Sequence, residues 1–351
     1  MSVFDHSFLS GLLGDDQISE LMSAEVDIGA MLEFEAVLAE AEEAEGLIAA
    51  GCAERIRASV SDLEPDYAAL RDETARDGVV VPAMLKQVRA HLDDQSAEAL
   101  HYGATSQDVI DTSLAIRSLK VIDRVNDGLE RVIAELDALD SRDGGKTVMA
   151  HTRMQAALPV TVSRKIASWR DPLVRHRERM SAIRERVGVL HLGGPVGDLS
   201  KLGDKGSAVI ERMARQLGLA PSVQARHTER DGLADLANWL SLITGSLGKT
   251  GADIVLFAQQ EMDEIELSKG GGSSAMPHKV NPVAAETLVA IARFNAILLT
   301  GMHLSLVHEN ERSGSAWTLE WMVLPQMMVA TGASIRTAEQ LFQSISFVGI
   351  E

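Results

Sequence analysis

The chain of 351 residues holds one cysteine, Cys52, so no intramolecular disulfide can form and a cysteine-based zinc site is excluded. Basic residues are in deficit: 33 Lys and Arg against 51 Asp and Glu leave a net charge of −18. A nucleic-acid or anionic-membrane binder needs a basic face, so this balance argues against both kinds of partner. Aromatic residues make up only 4%, and alternating β-branched runs are nearly missing; Val79-Val80-Val81 is one of the few short β-like pieces. Apolar stretches are short and interrupted, so no segment is expected to span a bilayer. Asp5, Asp15 and Asp16 stand at the N-terminus without a basic region, unlike a signal peptide. A soluble cytoplasmic protein, with no membrane or nucleic-acid partner, is the expectation.

The residues present in quantity are Ala, Leu, Glu and Arg, which favour helix. An all-α protein follows, built as an elongated bundle of long helices. Between Thr112 and Asp140, Ile122, Val125, Leu129, Val132, Leu136 and Leu139 alternate steps of three and four, a heptad seam. A second seam, Leu233, Leu236, Leu240, Ile243, Leu247, Ile254 and Phe257, predicts a helix over about 229–268. That helix would be roughly 60 Å long, with Thr228 and Asp231 as an N-terminal capping pair. Gly245, Gly248 and Gly251 lie inside it; each costs about 1 kcal/mol against Ala, which close approach by a neighbouring helix offsets. Further helices are expected over about 30–49, 163–188 with a kink at Pro172, 205–217, 283–308 and 316–345. Residues 1–105 read as a smaller N-terminal helical domain and 106–351 as the long-helix domain. Seams this long are often completed by other subunits, so an oligomer is expected. The acidic run Glu33, Glu35, Glu40, Glu42, Glu43 and Glu45 reads as a solvated helix face.

The densest chemistry lies in Gly270-Gly271-Gly272-Ser273-Ser274-Ala275-Met276-Pro277-His278-Lys279-Val280-Asn281-Pro282. A flexible Gly/Ser linker is the plain alternative, but a linker has no need of the Met-Pro-His-Lys-Val-Asn-Pro that follows. A phosphate-binding loop is excluded, because His278 and Val280 flank the lysine where Gly and Ser or Thr are required. The segment resembles the fumarase/aspartase superfamily signature Gly-Ser-Ser-x-Met-Pro-x-Lys-x-Asn-Pro at every fixed position. His101 to Thr112, with its Thr105-Ser106-Gln107-Asp108 core, resembles that superfamily's first region. Read alone, this core is a helix N-cap, and helix N-termini also bind carboxylates.

Ala150 to Pro159 resembles the second region, usually Arg-Thr-His-x-Gln-x-Ala-x-Pro. Aligned on Thr152, Gln155 and Pro159, the usual catalytic His is Arg153 here. Loss of that His is a trait of the bacterial 3-carboxy-cis,cis-muconate cycloisomerase branch. His227-Thr228-Glu229-Arg230-Asp231 and Glu309-Asn310-Glu311-Arg312 with Ala316-Trp317 and Glu320-Trp321 resemble stretches of the same branch. Gly193-Gly194 through Gly206 also fits, with His191 where Gln is usual.

The resemblance implies an enzyme that isomerises a polycarboxylate by intramolecular addition of a carboxylate to a C=C bond, in aromatic (protocatechuate) catabolism. It implies a homotetramer whose three regions meet from different subunits; no ligand cluster suggests a metal and no nucleotide fingerprint is present, so no cofactor is expected. Ser273 takes the proton-transfer role by resemblance. Arg153, Arg230, Lys279 and Arg312 are the candidate cations for substrate carboxylates. Thr105, Ser106, Gln155, Ser274 and Asn281 are candidate neutral donors, His101 and His227 stand as site or core histidines, and Met276 shapes the loop. The family commonly continues for about a hundred residues more, so its small C-terminal domain is expected to be absent or reduced. Two other readings remain: an adenylosuccinate- or argininosuccinate-type lyase, which fumarate release would reveal, and a non-catalytic helical scaffold, which the intact signature disfavours.

Overall fold

The computed structural model describes residues 2–222, 224–272, 276 and 279–350. In chain order the helices are α1 (Ser10–Leu13), α2 (Asp16–Leu21), α3 (Ala24–Ala44), α4 (Cys52–Asp62), α5 (Tyr67–Asp77), α6 (Val81–Arg89), α7 (Asp94–Ala99), α8 (Ser106–Asp143), α9 (Val162–Val187), α10 (Gly206–Leu217), α11 (Asp231–Phe257), α12 (Val283–Leu304) and α13 (Ser315–Gln343). Two antiparallel pairs accompany them: β1 (Thr147–Thr152) with β2 (Gln155–Thr161), and β3 (Ile265–Leu267) with β4 (Ile345–Val348).

The heptad residues of α8 are all buried, from Ile122 to Leu139. They meet Ile166, Trp169 and Leu173 of α9, Leu236 to Ile254 of α11, and Leu324 to Leu341 of α13 in one core. This is the expected helical bundle. Two of the four glycines in α11, Gly248 and Gly251, explain its tight fit to α12. A Cβ on Gly248 would overlap Ala292 Cβ, and one on Gly251 would lie 2.5 Å from Ala285 O, whereas Gly245 faces open space. α12 is the exception to the expectation about apolar runs. It is long and apolar enough to cross a membrane by length and composition, yet Ala285, Leu288, Ile291 and Met302 are buried against the bundle.

A second core joins α3, α4 and α6 to the start of α8 and to α10. This smaller core is therefore not confined to residues before 106, since Leu190, Leu192 and α10 complete it. The helix expected over 229–268 ends at Phe257. The next seam position is Glu261, and the chain turns through Asp263 at φ 48, so the apolar repeat has nothing left to bury. Its N-cap is Arg230, with no side-chain cap bond, so the Thr228–Asp231 pair does not form the cap.

The acidic face of α3 is only partly solvated. Glu35 and Glu42 are fully buried, because they continue the apolar stripe of Met31, Leu32, Leu38 and Ala39. Both Glu42 oxygens lack a hydrogen-bond partner among the described residues. Burial, and then the neighbouring Glu35, push the Glu42 carboxyl up to about 9. A folded-state value above the unfolded one means the contribution to stability is complete at low pH and drains away as pH rises toward 9. Glu42→Gln should therefore gain on the wild type by roughly 1 kcal/mol per pH unit between pH 6 and 8, read by denaturant titration. Parallel stability curves would show that Glu42 is not held protonated.

Candidate active site

Region one forms the entry to α8. Thr105 is the N-cap, and its backbone N–H donates to Asp108 Oδ2 at 2.9 Å. The Asp108 carboxylate, fully buried, also accepts from Gly193 N and Gly194 N, each at 2.9 Å, and lies 2.7 Å from His227 Nε2. One aspartate thus pins the Gly193-Gly194 loop and His227 to the start of the helix. Gly194 sits at φ 73, and an added Cβ would lie 2.7 Å from Gly103 O, so only glycine fits this contact. Thr105 and Ser106 remain half-buried at the helix N-terminus, where backbone N–H groups favour an anion.

Beneath them lies a buried charge sandwich. Arg230 donates from Nη1 to Asp111 Oδ2 at 2.6 Å and from Nη2 to Asp111 Oδ1 at 3.2 Å. On its other edge Nε and Nη2 donate to Glu320 Oε1 and Oε2 at 2.9 and 2.6 Å. Each of these side chains is at most 2% exposed. Burial opposes the charge on Asp111, but the Arg230 guanidinium outweighs it and holds the carboxyl below its ordinary range. Trp317 Nε1 and Gln107 Nε2 also donate to Asp111, and His308 Nε2 lies 3.2 Å from Glu320 Oε1. Arg230, expected as a substrate cation, instead has both edges closed by protein carboxylates. His227 likewise faces Asp108 and is 4% exposed.

Arg312 behaves differently. Its Nε donates to Gln107 Oε1 at 3.0 Å and its Nη2 to Pro195 O at 3.2 Å, with the side chain at the surface. His101 is tied by Nδ1 to Glu35 Oε1 at 2.7 Å. His191, next to Asp111 and Arg230, is dropped to about 4, chiefly by burial, and is neutral.

Region two is a β-hairpin, a feature the scarcity of β-branched alternation did not anticipate. Arg153 and Met154 are its two turn residues, at φ 50 and 64; left-handed conformations at both turn positions match the twist of paired strands. His151 to Pro159 is exposed throughout, including Met154 at 75% and Leu158 at 72%. Arg153 and Gln155 are thus held out from the bundle on a projecting tip.

Region three is stemmed by a backbone bridge. Gly271 N donates to Asn281 O and Asn281 N to Gly271 O, both at 2.9 Å. A Cβ on Gly270 would lie 2.7 Å from Asn281 O, so glycine lets the two arms close. Lys279 is exposed, and Asn281 Nδ2 approaches Gly272 O at 3.5 Å. Met276 is exposed. Ser273 and Ser274 lie outside the described residues.

Among the described residues, region one does not meet regions two and three within one chain. α8 has 38 residues, about 55 Å end to end at the usual rise. Region one sits at its N-terminus, and the hairpin follows its C-terminus. Arg142 near that end donates to Ile345 O beyond the end of α13, whose start carries Trp317 and Glu320 beside region one. Region three lies at the hairpin end too: Ser268 N donates to Ser344 O, and α12 begins beside the last turns of α11. Asp108, Asp111 and Glu320 carry the framework; the N-cap expected at Thr105–Asp108 is present, while nothing in the sequence marked Asp111 or Glu320 for a role.

Residues 14–294 match a protein-family model described as Lyase. The chain is 36% identical over 333 residues to a 3-carboxy-cis,cis-muconate cycloisomerase of Acinetobacter baylyi, covering 92% of this chain and 74% of that protein. It is 32% identical to trans-aconitate decarboxylase 1 of Mycosarcoma maydis, over 96% of this chain and 69% of that one. The solved structure of 3-carboxy-cis,cis-muconate lactonizing enzyme from Pseudomonas putida superposes with a TM-score of 0.91 at 31% identity, over 97% of this chain and 77% of that one.

Proposed function

The chain belongs to the lyase family of fumarase/aspartase type, and from that premise we propose that it is a 3-carboxy-cis,cis-muconate cycloisomerase. One observation carries the reading: similarity to relatives of that name extends over nearly the whole chain, with all three motif regions inside the family match. In the reaction a substrate carboxylate oxygen adds to a carbon of the C=C bond, the other alkene carbon takes a proton, and a γ-lactone forms. The substrate trianion takes up one proton, supplied from solvent through the enzyme, and leaves as a lactone dianion; no other atom is gained or lost. Because nucleophile and alkene belong to one molecule, proximity is built into the substrate, and no base is needed to activate water. Arg153 in place of the usual His fits that requirement.

The proposed roles follow from chemistry and position. Ser273 moves the proton to or from carbon, with the backbone N–H groups of its glycine-rich loop and Lys279 favouring its oxyanion. Arg153, Lys279 and Arg312 take substrate carboxylates, with Gln155, Ser274 and Asn281 donating neutral hydrogen bonds and Thr105 and Ser106 offering the α8 N-terminus. Arg230 and His227 hold that N-terminus in place rather than touch substrate. Met276 shapes the loop.

The site is completed between subunits of a homotetramer. The separation of the regions by a helix length supports this, as do the apolar side chains on the projecting hairpin and the exposed Ile297 and Leu304 of α12. Ser273→Ala and Ser106→Ala proteins, each with low activity, should regain a fraction of wild-type activity when unfolded together and reassembled. Failure to regain any, in a mixed assembly verified by mass, would contradict shared sites. The cytoplasm is the proposed location.

The named relatives act on unsaturated tricarboxylates, carboxymuconate and aconitate, and both names point to the same substrate class. Purified protein incubated with 3-carboxy-cis,cis-muconate should remove the diene absorbance with formation of lactone. Carbon dioxide from trans-aconitate, or fumarate from a succinyl adduct, would move the assignment to another member of the family.

A further inference from the structure

Glu35 and Glu42 lie seven residues apart on α3, buried under region one, and neither has a part in the reaction described above. Glu35 Oε1 is 2.7 Å from His101 Nδ1. The histidine backbone is left-handed, at φ 65, a conformation that persists where its surroundings hold it. Glu35 is wholly enclosed, while the His101 side chain is 15% exposed, so the imidazole is the member of the pair with an open side. Among the described residues, Nε2 has no hydrogen-bond partner.

We propose that Glu35 is a positioning residue for substrate binding: it grips His101 through Nδ1 so that the Nε2–H of the imidazolium faces a substrate carboxylate beside Thr105 and Ser106. The role rests on the reading that region one meets a polycarboxylate. The surrounding charges fit it. Burial pulls the His101 pKa down, but Glu35 on α3 and Asp108 on α8 outweigh burial and Arg89 on α6, and the net shift is upward. Glu42, the other titratable group beside Glu35 on α3, is held protonated, so it adds no second negative charge beside the pair. The imidazolium donor is present below the raised His101 pKa and disappears as pH climbs through it.

Glu35→Gln keeps a hydrogen-bond acceptor of the same size and removes the charge. In the assembled full-length protein, deuterium exchange at imidazole C2, followed by mass spectrometry across pH, reads each histidine separately. Wild-type His101 should titrate above the exposed reference His91 and His303, and Glu35→Gln should bring it below them. In turnover, the same variant should raise KM roughly tenfold near pH 7.5 while kcat changes less than threefold, and Glu35→Asp should restore part of the binding. A wild-type His101 titrating at or below the references would overturn the proposal, and this holds even if Glu35→Gln does not assemble. Loss of binding in Glu35→Gln with an unmoved His101 titration would overturn it as well. The exchange readout needs no turnover, so an inactive wild type would remove the function while leaving the pair tested.

Discussion

An Arg230→Met variant should lose roughly 3–5 kcal/mol of folding free energy, the usual consequence of removing one partner from a buried ion pair. The guanidinium is the only cation between Asp111 and Glu320 among the described residues, and all three side chains are sealed from water. Methionine of similar volume leaves two carboxylates facing each other in low dielectric. They must then bind protons or draw in water, and either outcome loosens α8 from α11 and α13 at the end that carries region one. The sandwich itself is a weak source of net stability, because desolvating three charges offsets most of their attraction. A triple variant, Arg230→Met with Asp111→Asn and Glu320→Gln, should therefore recover much of the loss. Denaturant unfolding of the set measures both effects, and added salt should change them little because the charges are buried. The Asp111 carboxyl is held below its ordinary value, so its share of wild-type stability is complete above the unfolded-state value and vanishes as pH falls through the folded one. A single variant within 1 kcal/mol of wild type would mean that the triad does not frame the site.

Ser273→Ala should lower kcat for 3-carboxy-cis,cis-muconate by about two to four orders of magnitude, the range for removing a group that transfers a proton in the transition state. Stability and KM should change little, since the substitution removes one hydroxyl and no charge that would hold a substrate carboxylate. The described stem of the loop is paired, unlike a slack linker. Gly271 and Asn281 exchange both backbone hydrogen bonds, and Gly270 is small because the opposite arm passes within contact distance. A Ser273→Ala protein of full activity would transfer the proton step to another residue.

Much of the architecture was legible because helical burial has a period. The seam from Ile122 to Leu139 named its own buried face, and Gly248 and Gly251 announced a close neighbour before α12 was placed. The same rule misled where charged residues took positions on the apolar stripe. Glu35 and Glu42 looked solvated as members of an acidic run, although both fall in step with Met31, Leu32 and Leu38. The hairpin of region two escaped notice because its turn is Arg153-Met154, without the glycine or asparagine that marks such turns. The site was legible as motifs and illegible as geometry. Sequence spacing does not show that α8 holds regions one and two a helix length apart, nor that Arg230 is enclosed by Asp111 and Glu320. Reading a cation as a substrate partner needs knowledge of which carboxylates already face it, and that comes only from packing.

The central claim is that this chain closes a lactone from an unsaturated tricarboxylate. Its most direct measurement is the reaction of purified, assembled protein with 3-carboxy-cis,cis-muconate, following diene absorbance and identifying the product by NMR. The expected result is loss of the diene with one equivalent of a carboxymuconolactone and no carbon dioxide or fumarate. A folded, assembled protein that leaves the diene untouched, or that releases carbon dioxide from it, would contradict the account.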